Sequence, residues 1–436
     1  MAKSHSNLYN QMLTYEFIED AFNKAARHKS RQKPVRRALK NKKSIINSIL
    51  LLLKKRDFTP SKYNIKNIYI PKERQLFVAN FFPDRIIHHC IMKILIPILQ
   101  PKFYEYSYSC IPGKGQHQAV LKNIELTKKY KYFCKCDISK FYPSIHKGIL
   151  TNLFRKIIKD PDMYDLIKNI IMQVPSSQWT GIIYENFKNK VEELGTKCKY
   201  YKIKYKYLPV NDVDRNPFYN ELWSKDFDIL RNVPIGNYCS QWFGNYYLTE
   251  IDNLISQHFR PNDKEYGEYF SERVRHIRYC DDFVLYSNSK EDLQNASKII
   301  QEYLLHERRL VLSKCFIAPT WKGIDFCGYV AYPDGSVKIR KTTKQRIART
   351  VKRIIYELKH GRTTLDRASS VLGSYYGIIK FIKADKFDMK IKISNFLKNI
   401  NIIRKYAPEI SNTKVKLNDN YISIILNDNV ELLNNY

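Results

Sequence analysis

The feature that most constrains the fold of this chain is the stretch RYCDDFVLYS at residues 278–287. Two adjacent aspartates, Asp281 and Asp282, interrupt a run whose other residues favour a β-strand. Strands disfavour Asp, and neighbouring carboxylates repel each other. The stretch therefore predicts a strand–turn–strand that places both carboxylates at one point outside a sheet, where a cation is needed to compensate their charge.

The charge of the chain indicates a polyanionic partner. Lys and Arg number 75 against 42 Asp and Glu, so the formal net charge is +33. The 33 Tyr and 22 Phe add side chains on which bases can stack, and this combination favours nucleic acid over a membrane surface. The most apolar runs, at 45–53 and 86–99, are too short or too interrupted to span a bilayer.

The nine cysteines are scattered, without a CxxC pair or a Cys/His cluster at zinc spacing. Cys134 and Cys136 are two residues apart, so in a strand both point the same way, as small core residues of a reducing compartment. The N-terminus is polar and carries no signal peptide. These features predict a soluble, intracellular protein.

The apolar periodicity predicts several further elements. Helices are expected at 8–25, around 45–53 and at 84–99, a β-hairpin at 66–80, and basic helices beyond Arg340. The stretch KCKYYKIKYKYLPV at 197–210 alternates lysine with tyrosine or isoleucine. It is interpreted as an edge strand protected by lysines, with a basic ribbon on a nucleic-acid backbone as the alternative.

A third carboxylate completes a candidate metal site. Asp137 ends an apolar strand in KYFCKCDISKFYPSI at 131–145. Oxygen ligands without His or Cys favour Mg²⁺, and carboxylates holding two Mg²⁺ ions roughly 4 Å apart suit in-line phosphoryl transfer. One ion would lower the pKa of an attacking hydroxyl, and the other would stabilise a leaving pyrophosphate.

The ordered set of motifs resembles bacterial reverse transcriptases of the lineage shared by group II introns, retrons, diversity-generating retroelements and the defence-associated "unknown group" enzymes. The resemblance runs from about residue 60 to about residue 385. CDISKFYPSI is similar to the first palm motif, NVPIGNYCSQWFGNYYLTEID to the template-grip and helix motif, and YCDD to the active-site motif. IYIPKERQLFVANFFPDRIIHHCIMKIL resembles the fingers segment, YSYSCIPGKGQHQAV the next block, and SVLGSYYGIIKF the thumb.

The resemblance implies an α+β, right-hand polymerase fold with α/β fingers, a palm built on an antiparallel sheet, a helical thumb and a helical N-terminal extension. The implied segments are the basic helical extension at 1–60, fingers at 61–135, a first palm part at 136–175, an insertion at 176–231, a second palm part at 232–339, the thumb at 340–410 and a tail at 411–436.

The resemblance also implies roles for individual residues. Asp137, Asp281 and Asp282 are the catalytic residues, and together with Ile138 they bind the metal ions. The nucleotide-binding residues are Lys72 and Arg74 for the triphosphate, Tyr142 as the steric gate against a 2′-hydroxyl, Lys314 near the pyrophosphate, and Ile235 and Gly236. The template and primer contacts are Tyr279, Cys280, Ser240, Gln241 and Lys114. From the residues alone, Lys72 could equally be a solvated hairpin tip, and Tyr142 a core aromatic.

One departure from the family pattern indicates which branch of the family this chain resembles most. Many relatives carry PQG where this chain has Pro234-Ile235-Gly236. An apolar residue there, followed by the Ser240-Gln241 pair, is most similar to the diversity-generating and defence-associated branches.

The function that the resemblance implies is an RNA-directed DNA polymerase in antiphage defence, located in the bacterial cytoplasm. It would use two Mg²⁺ ions and dNTPs, with a dedicated structured noncoding RNA as template and scaffold and an RNA–DNA duplex as product. A chain of this size is not expected to hold RNase H, integrase or endonuclease modules. Three alternatives stay open: an error-prone polymerase of a diversity-generating retroelement, a non-catalytic maturase-like RNA-binding protein, and a template-independent or RNA-making polymerase.

Overall fold

The computed structural model describes five ranges of the chain: 5–69, 72–194, 227–256, 273–381 and 393–401. Contacts divide the chain into two compact units. The first unit comprises Met1–Ala119 and Tyr130–Pro319, and the second comprises Val120–Lys129 and Thr320–Tyr436. The predicted strand at 197–210 and the tail at 411–436 lie outside the described residues. Among the helices that are described, none is long and apolar enough to cross a membrane.

The N-terminal part of the first unit is helical, as predicted. Its helices are α1 (Tyr15–Ala26), α2 (Lys33–Lys40) and α3 (Lys42–Lys55). Thr14 begins α1, because its side chain accepts a hydrogen bond from the backbone N–H of Phe17. One face of α1 carries Ile18 and Phe22, which are fully buried in the main core of this unit.

A β-hairpin follows, confirming the prediction for 66–80. Strand β1 (Asn64–Ile68) pairs antiparallel with β2 (Arg74–Val78). The helix predicted at 84–99 is α4 (Ile86–Leu99), which lies mostly in the core. The next helix is α5 (Gln116–Lys129). Only part of the hairpin tip is described, since Ile70 and Pro71 fall outside the described ranges.

The central feature of the first unit is a four-stranded antiparallel sheet in the order β4-β5-β3-β6. Its strands are β3 (Tyr132–Ile138), β4 (Arg275–Tyr279), β5 (Asp282–Ser287) and β6 (Leu312–Pro319). The helices of this region are α6 (Phe141–Ser144), α7 (Lys147–Ile157), α8 (Pro161–Met172), α9 (Thr180–Leu194), α10 (Tyr238–Tyr247), α11 (Thr249–Ser256) and α12 (Lys290–Arg308). The apolar residues of β5 are fully buried, as is typical of a strand covered on both faces.

The described ends of the 176–231 insertion belong to the first unit. Ile183 and Phe187 of α9 pack with Phe227 and Leu305 in a small apolar cluster. These described ends therefore add to the packing of this unit.

The second unit contains a three-stranded antiparallel sheet and the basic helices predicted beyond Arg340. The elements are β7 (Ile324–Phe326), β8 (Tyr329–Ala331), β9 (Val337–Ile339), α13 (Lys341–Lys359), α14 (Leu365–Phe381) and α15 (393–401). Tyr329 joins sheet and helices, because its hydroxyl donates to the carbonyl oxygen of Ile378 at 3.0 Å. This small sheet thus packs with the helices of the second unit, and the predicted boundary between palm and thumb at 339/340 falls within this unit.

Candidate active site

The paired aspartates lie in a strand–turn–strand, as predicted. Strand β4 ends at Tyr279, Asp281 lies in the turn, and Asp282 is the first residue of β5. In the neighbouring strand β3, Asp137 lies directly opposite Asp282. Directly opposed residues of antiparallel strands have their Cβ atoms about 4.5–5.5 Å apart. The sheet therefore brings the three carboxylate-bearing residues to one end.

A buried ion pair fixes the turn that carries Asp281. The guanidinium of Arg278 contacts Asp252 of α11 at 2.5 Å, and both side chains are almost completely buried. The same guanidinium donates to the carbonyl oxygen of Cys280 at 3.0 Å. Cys280 has a φ of 60°, in the left-handed region that non-glycine residues rarely adopt. The ion pair holds this unusual turn conformation.

Burial makes ionisation of Asp281 and Asp282 costly. It raises the pKa of Asp282 from 3.8 to about 6; the charge of Lys135 opposes this rise, and the charges of Asp137 and Asp281 add to it. Burial likewise raises the pKa of Asp281, and the charge of Asp137 adds to this, whereas Lys72 lowers it. These carboxylates lack sufficient positive charge from the surrounding side chains.

The donor set fits a hard divalent cation. Among the described residues, the Oδ1 atom of Asp282 is buried without a hydrogen-bond partner, as expected of a ligand atom. Asp137, Asp281 and Asp282 supply only oxygen. The side chain of Ile138 is buried, so only its main-chain carbonyl could take part in the predicted metal binding.

A cleft of about 460 Å³ opens beside the carboxylates. Most of the predicted site residues line it. They are Lys72, Arg74, Ile138, Tyr142, Ile235, Gly236, Ser240, Gln241, Tyr279, Cys280, Asp281 and Asp282. The volume is in the range of small-molecule sites, so the fold brings the predicted metal, nucleotide and template residues around one cleft.

Tyr142 is fixed at the cleft by two contacts. Its hydroxyl lies 3.3 Å from the Sγ atom of Cys280. Its ring packs against α10 at Gly244, where an added Cβ atom would lie only 3.1 Å from Tyr142 Cε1 and from Phe141 Cε1. The glycine therefore allows the ring to lie close to the helix.

The loop before α10 is joined to the hairpin. The backbone N–H of Phe77 donates to the carbonyl oxygen of Ile235 at 2.9 Å. Gly236 has a φ of 117°, and a Cβ atom there would lie 3.3 Å from the Phe77 carbonyl oxygen, so a glycine is needed at this close approach. The side chains of Lys72 and Arg74, at the other end of β2, also line the cleft.

Two of the cleft residues that sequence reasoning missed contact each other. The Nζ atom of Lys140 lies 3.4 Å from the ring centroid of Trp179, and both line the cleft. Burial lowers the pKa of Lys140, as does the nearby charge of Lys72. Lys140 lies between Asp137 and Tyr142 in the first palm motif, so its position in the sequence could have indicated that it lies at the site. Trp179 lies at the start of the insertion, where nothing in the sequence points to the site.

Three predicted residues are not among those that line the cleft. Asp137 accepts a hydrogen bond from Ser313 Oγ at 3.0 Å, and Lys314 is exposed beside it, directly opposite in β6. The ammonium group of Lys114 donates to three backbone carbonyls, the nearest being that of Glu105 at 2.5 Å. Lys114 thus stabilises its own loop, and its template contact stays a prediction that this geometry does not support.

Comparison with known proteins agrees with these observations. The family model described as "Reverse transcriptase (RNA-dependent DNA polymerase)" matches residues 70–331. The chain is 24% identical over 224 residues to nuclear intron maturase 1, mitochondrial, of Arabidopsis thaliana, which covers 48% of this chain and 29% of that protein. It is 23% identical over 381 residues to the putative COX1/OXI3 intron 2 protein of Saccharomyces cerevisiae, covering 76% of this chain and 40% of that protein.

The chain spans less than half the length of these curated relatives. The family match, in contrast, extends over more than half of the chain, and it includes the hairpin residues Lys72 and Arg74 and all three aspartates. The chain therefore belongs to the reverse transcriptase family, and its fold class is the right-hand polymerase fold that the motifs predict.

Proposed function

We propose that this chain is an active RNA-directed DNA polymerase. The observation that carries the proposal is the position of Asp281 and Asp282 at one cleft with Tyr142 and Lys72. Asp137 lies opposite Asp282 in the sheet. A protein that only binds RNA gains nothing from raised-pKa carboxylates beside its polyanionic ligand, because unpaired carboxylates repel phosphates.

The residues of the cleft suit the parts of nucleotidyl transfer. Two Mg²⁺ ions held by the three aspartates would supply charge neutralisation and lower the pKa of the primer hydroxyl. In the proposed reaction, Lys72 and Arg74 bind the triphosphate of a dNTP, and the Tyr142 ring contacts its sugar; the position of all three at the cleft supports these roles. The ion pair between Arg278 and Asp252 keeps the turn in position. In this arrangement the protein mainly orients the reactants and stabilises charge.

The template of the proposed polymerase is a dedicated structured noncoding RNA. The proposed role of the polymerase is antiphage defence in the bacterial cytoplasm. The +33 charge supports an extended RNA partner that also acts as a scaffold. The basic helix α13 supports contact with an RNA–DNA duplex, since its apolar face is buried and its remaining positions are rich in Lys and Arg. Ile235 in place of glutamine supports the defence-associated branch, with the diversity-generating branch as its nearest alternative.

A second candidate function is RNA binding without polymerisation. It is favoured by the names of two relatives, which are nuclear intron maturases of Arabidopsis thaliana. In this case the chain would fold or protect an RNA, and the three aspartates would be dispensable.

Sequencing of the nucleic acid that co-purifies with the protein, with and without phage infection, separates these functions. The variant is the double substitution Asp281→Ala and Asp282→Ala. Asp165→Ala, which changes an exposed carboxylate of α8, is the control. One enriched RNA in every sample, with complementary DNA only from wild type and control, is the expected result. Equal amounts of RNA with no DNA from any sample would support RNA binding without polymerisation. Repeated or error-rich DNA would distinguish the defence-associated from the diversity-generating branch.

A further inference from the structure

Three thiols form a cluster on the sheet that carries the catalytic aspartates. Cys136 of β3 lies directly opposite Cys315 of β6, and Cys134 lies two residues earlier on the same side of β3. The Sγ–Sγ distances are 3.7 Å for Cys134 and Cys136, and 3.5 Å from Cys315 to each of them. Within the described residues, no other three His, Cys, Asp or Glu side chains have ligand atoms all this close together.

The spacing of the three sulfur atoms is that of a metal-binding face. A tetrahedral ion with Zn–S bonds of about 2.3 Å places its sulfur ligands about 3.8 Å apart. The observed triangle is within a few tenths of an ångström of this value on every side, so a small rotation of the side chains suffices. A disulfide would instead need two of the sulfurs to approach to about 2.05 Å.

The surroundings of the thiols suit a bound cation with one open position. Cys134 and Cys136 are fully buried, whereas Cys315 is exposed. The Cys315 thiol contacts the hydroxyl of Ser297 in α12 and is near the ammonium group of Lys190 in α9. Three thiolates and one divalent cation carry a net charge of −1, which Lys190, itself paired with Glu193 at 2.7 Å, would partly offset.

We propose that Cys134, Cys136 and Cys315 bind one thiophilic divalent cation of the Zn²⁺ class. The Ser297 hydroxyl or a water molecule fills the fourth position. Cys136 precedes Asp137, and successive residues of a strand point to opposite faces, so this ion lies on the opposite face of the sheet from the catalytic carboxylates. It joins β3 to β6 behind Asp137 and is separate from the Mg²⁺ site. This site does not depend on the proposed function.

The test is Co²⁺ binding to the full-length protein, purified anaerobically with a reductant and held in excess Mg²⁺. Excess Mg²⁺ occupies the carboxylate site, and oxygen ligands give no sulfur-to-cobalt charge-transfer band in the near ultraviolet. The expected result is this band together with the intense visible bands of tetrahedral Co²⁺, at one ion per chain, and displacement of both by Zn²⁺.

Two variants make the result specific. Cys315→Ser changes the exposed thiol, so that folding is retained, and it should strongly reduce the charge-transfer band, because one of three thiolate ligands is lost. Cys327→Ser removes a cysteine of the second unit and should leave the band unchanged. Near-ultraviolet circular dichroism verifies that both variants are folded. No band in the folded wild type, an unchanged band in Cys315→Ser, or a Cys136–Cys315 disulfide in the anaerobic protein would each overturn the proposal.

Discussion

Arg278 and Asp252 form a buried ion pair whose guanidinium also holds the carbonyl oxygen of Cys280 at 3.0 Å. The turn that carries Asp281 is therefore held by a charged interaction inside the core. His276 contacts the same carboxylate, with its Nε2 atom 3.2 Å from Asp252 Oδ1. Burial alone would disfavour the charge of Asp252, but Arg278 and His276 hold the pKa of this carboxyl below its usual value.

The first prediction concerns this ion pair. Asp252→Asn leaves the guanidinium of Arg278 buried without its counter-charge, which should lower the free energy of unfolding by about 3–5 kcal/mol. Urea denaturation measures the loss. Asp162→Asn is the control, because Asp162 binds Arg56 in the same two-contact manner but at the surface, where an ion pair contributes little. Equal losses in the two variants would show that Arg278 does not need its partner.

The second prediction concerns the pH dependence of the metal-free protein. The pKa of Asp282 is raised from 3.8 to about 6, so its ionisation disfavours the folded state, and stability is lost as the pH rises through this range. Asp282→Asn should therefore raise the free energy of unfolding above about pH 6 in a chelating buffer, and give no gain below about pH 4. Added Mg²⁺ should stabilise wild type more than the variant. Asp165→Asn, at an exposed site, should show neither effect.

The third prediction concerns the contact between Gly244 and Tyr142. Gly244→Ala places a methyl group against two rings and should cost about 1–3 kcal/mol of stability. It should also raise the KM for dNTPs, because Tyr142 is displaced towards the cleft. Gly377→Ala is the matched control, since it lies within α14 with open space at the Cβ position. There the exchange should be neutral or stabilise by about 0.5–1 kcal/mol. Similar losses for both glycines would mean that helix geometry, and not the ring contact, is responsible.

The fourth prediction tests Tyr142 as the steric gate. Tyr142→Ala opens space beside the sugar and should reduce discrimination against ribonucleotides by on the order of 10²-fold. Single-nucleotide incorporation with matched dNTP and rNTP measures the ratio of the two kcat/KM values. Tyr238→Ala is the control, because it removes an aromatic ring of α10 that stacks on His89 and does not line the cleft. It should leave the ratio of the two kcat/KM values unchanged. A ratio unchanged in Tyr142→Ala would assign sugar selection to another residue.

The sequence predicted the parts of the site that depend on local pattern. The adjacent Asp281 and Asp282 require a turn wherever the chain folds, and Asp137 ends an apolar strand. That β3 lies between β5 and β6, with Asp137 opposite Asp282 and Lys314, depends on long-range pairing. Strand register follows from tertiary packing and turn geometry, so the pattern of one strand could not reveal it.

The residues that sequence reasoning missed are those whose partners are distant in the chain. Asp252 is 26 positions from Arg278 and looks like an ordinary first-turn acid of a helix. Cys134 and Cys136 were correctly expected to share one side of a strand. The third thiol, Cys315, is 179 positions from Cys136, and only the pairing of β3 with β6 brings it to them. Buried charges and clusters of this kind are visible only after the fold is known.

The last prediction decides between the two interpretations of Lys72, a solvated hairpin tip or a ligand of the triphosphate. The structure places Lys72 at the cleft, where its charge lowers the pKa of Asp281. Lys72→Gln should raise the KM for dNTPs about 10–100-fold, the effect of losing a charge-assisted hydrogen bond. It should also move the acidic limb of the pH–rate profile to higher pH, because the pKa of Asp281 rises further without the ammonium group.

Lys66→Gln is the control for Lys72, since it removes the same charge from β1 of the same hairpin. Loss of a phosphate contact changes the KM for dNTPs, whereas loss of a general attraction for RNA changes only RNA binding. If Lys72 is only a solvated tip, both variants will weaken RNA binding equally and leave the KM for dNTPs and the pH–rate profile unchanged. If Lys72 binds the triphosphate, only Lys72→Gln will shift both quantities. The shift of the pH–rate profile is the stronger evidence, because it requires the ammonium group to lie near Asp281 in the working enzyme.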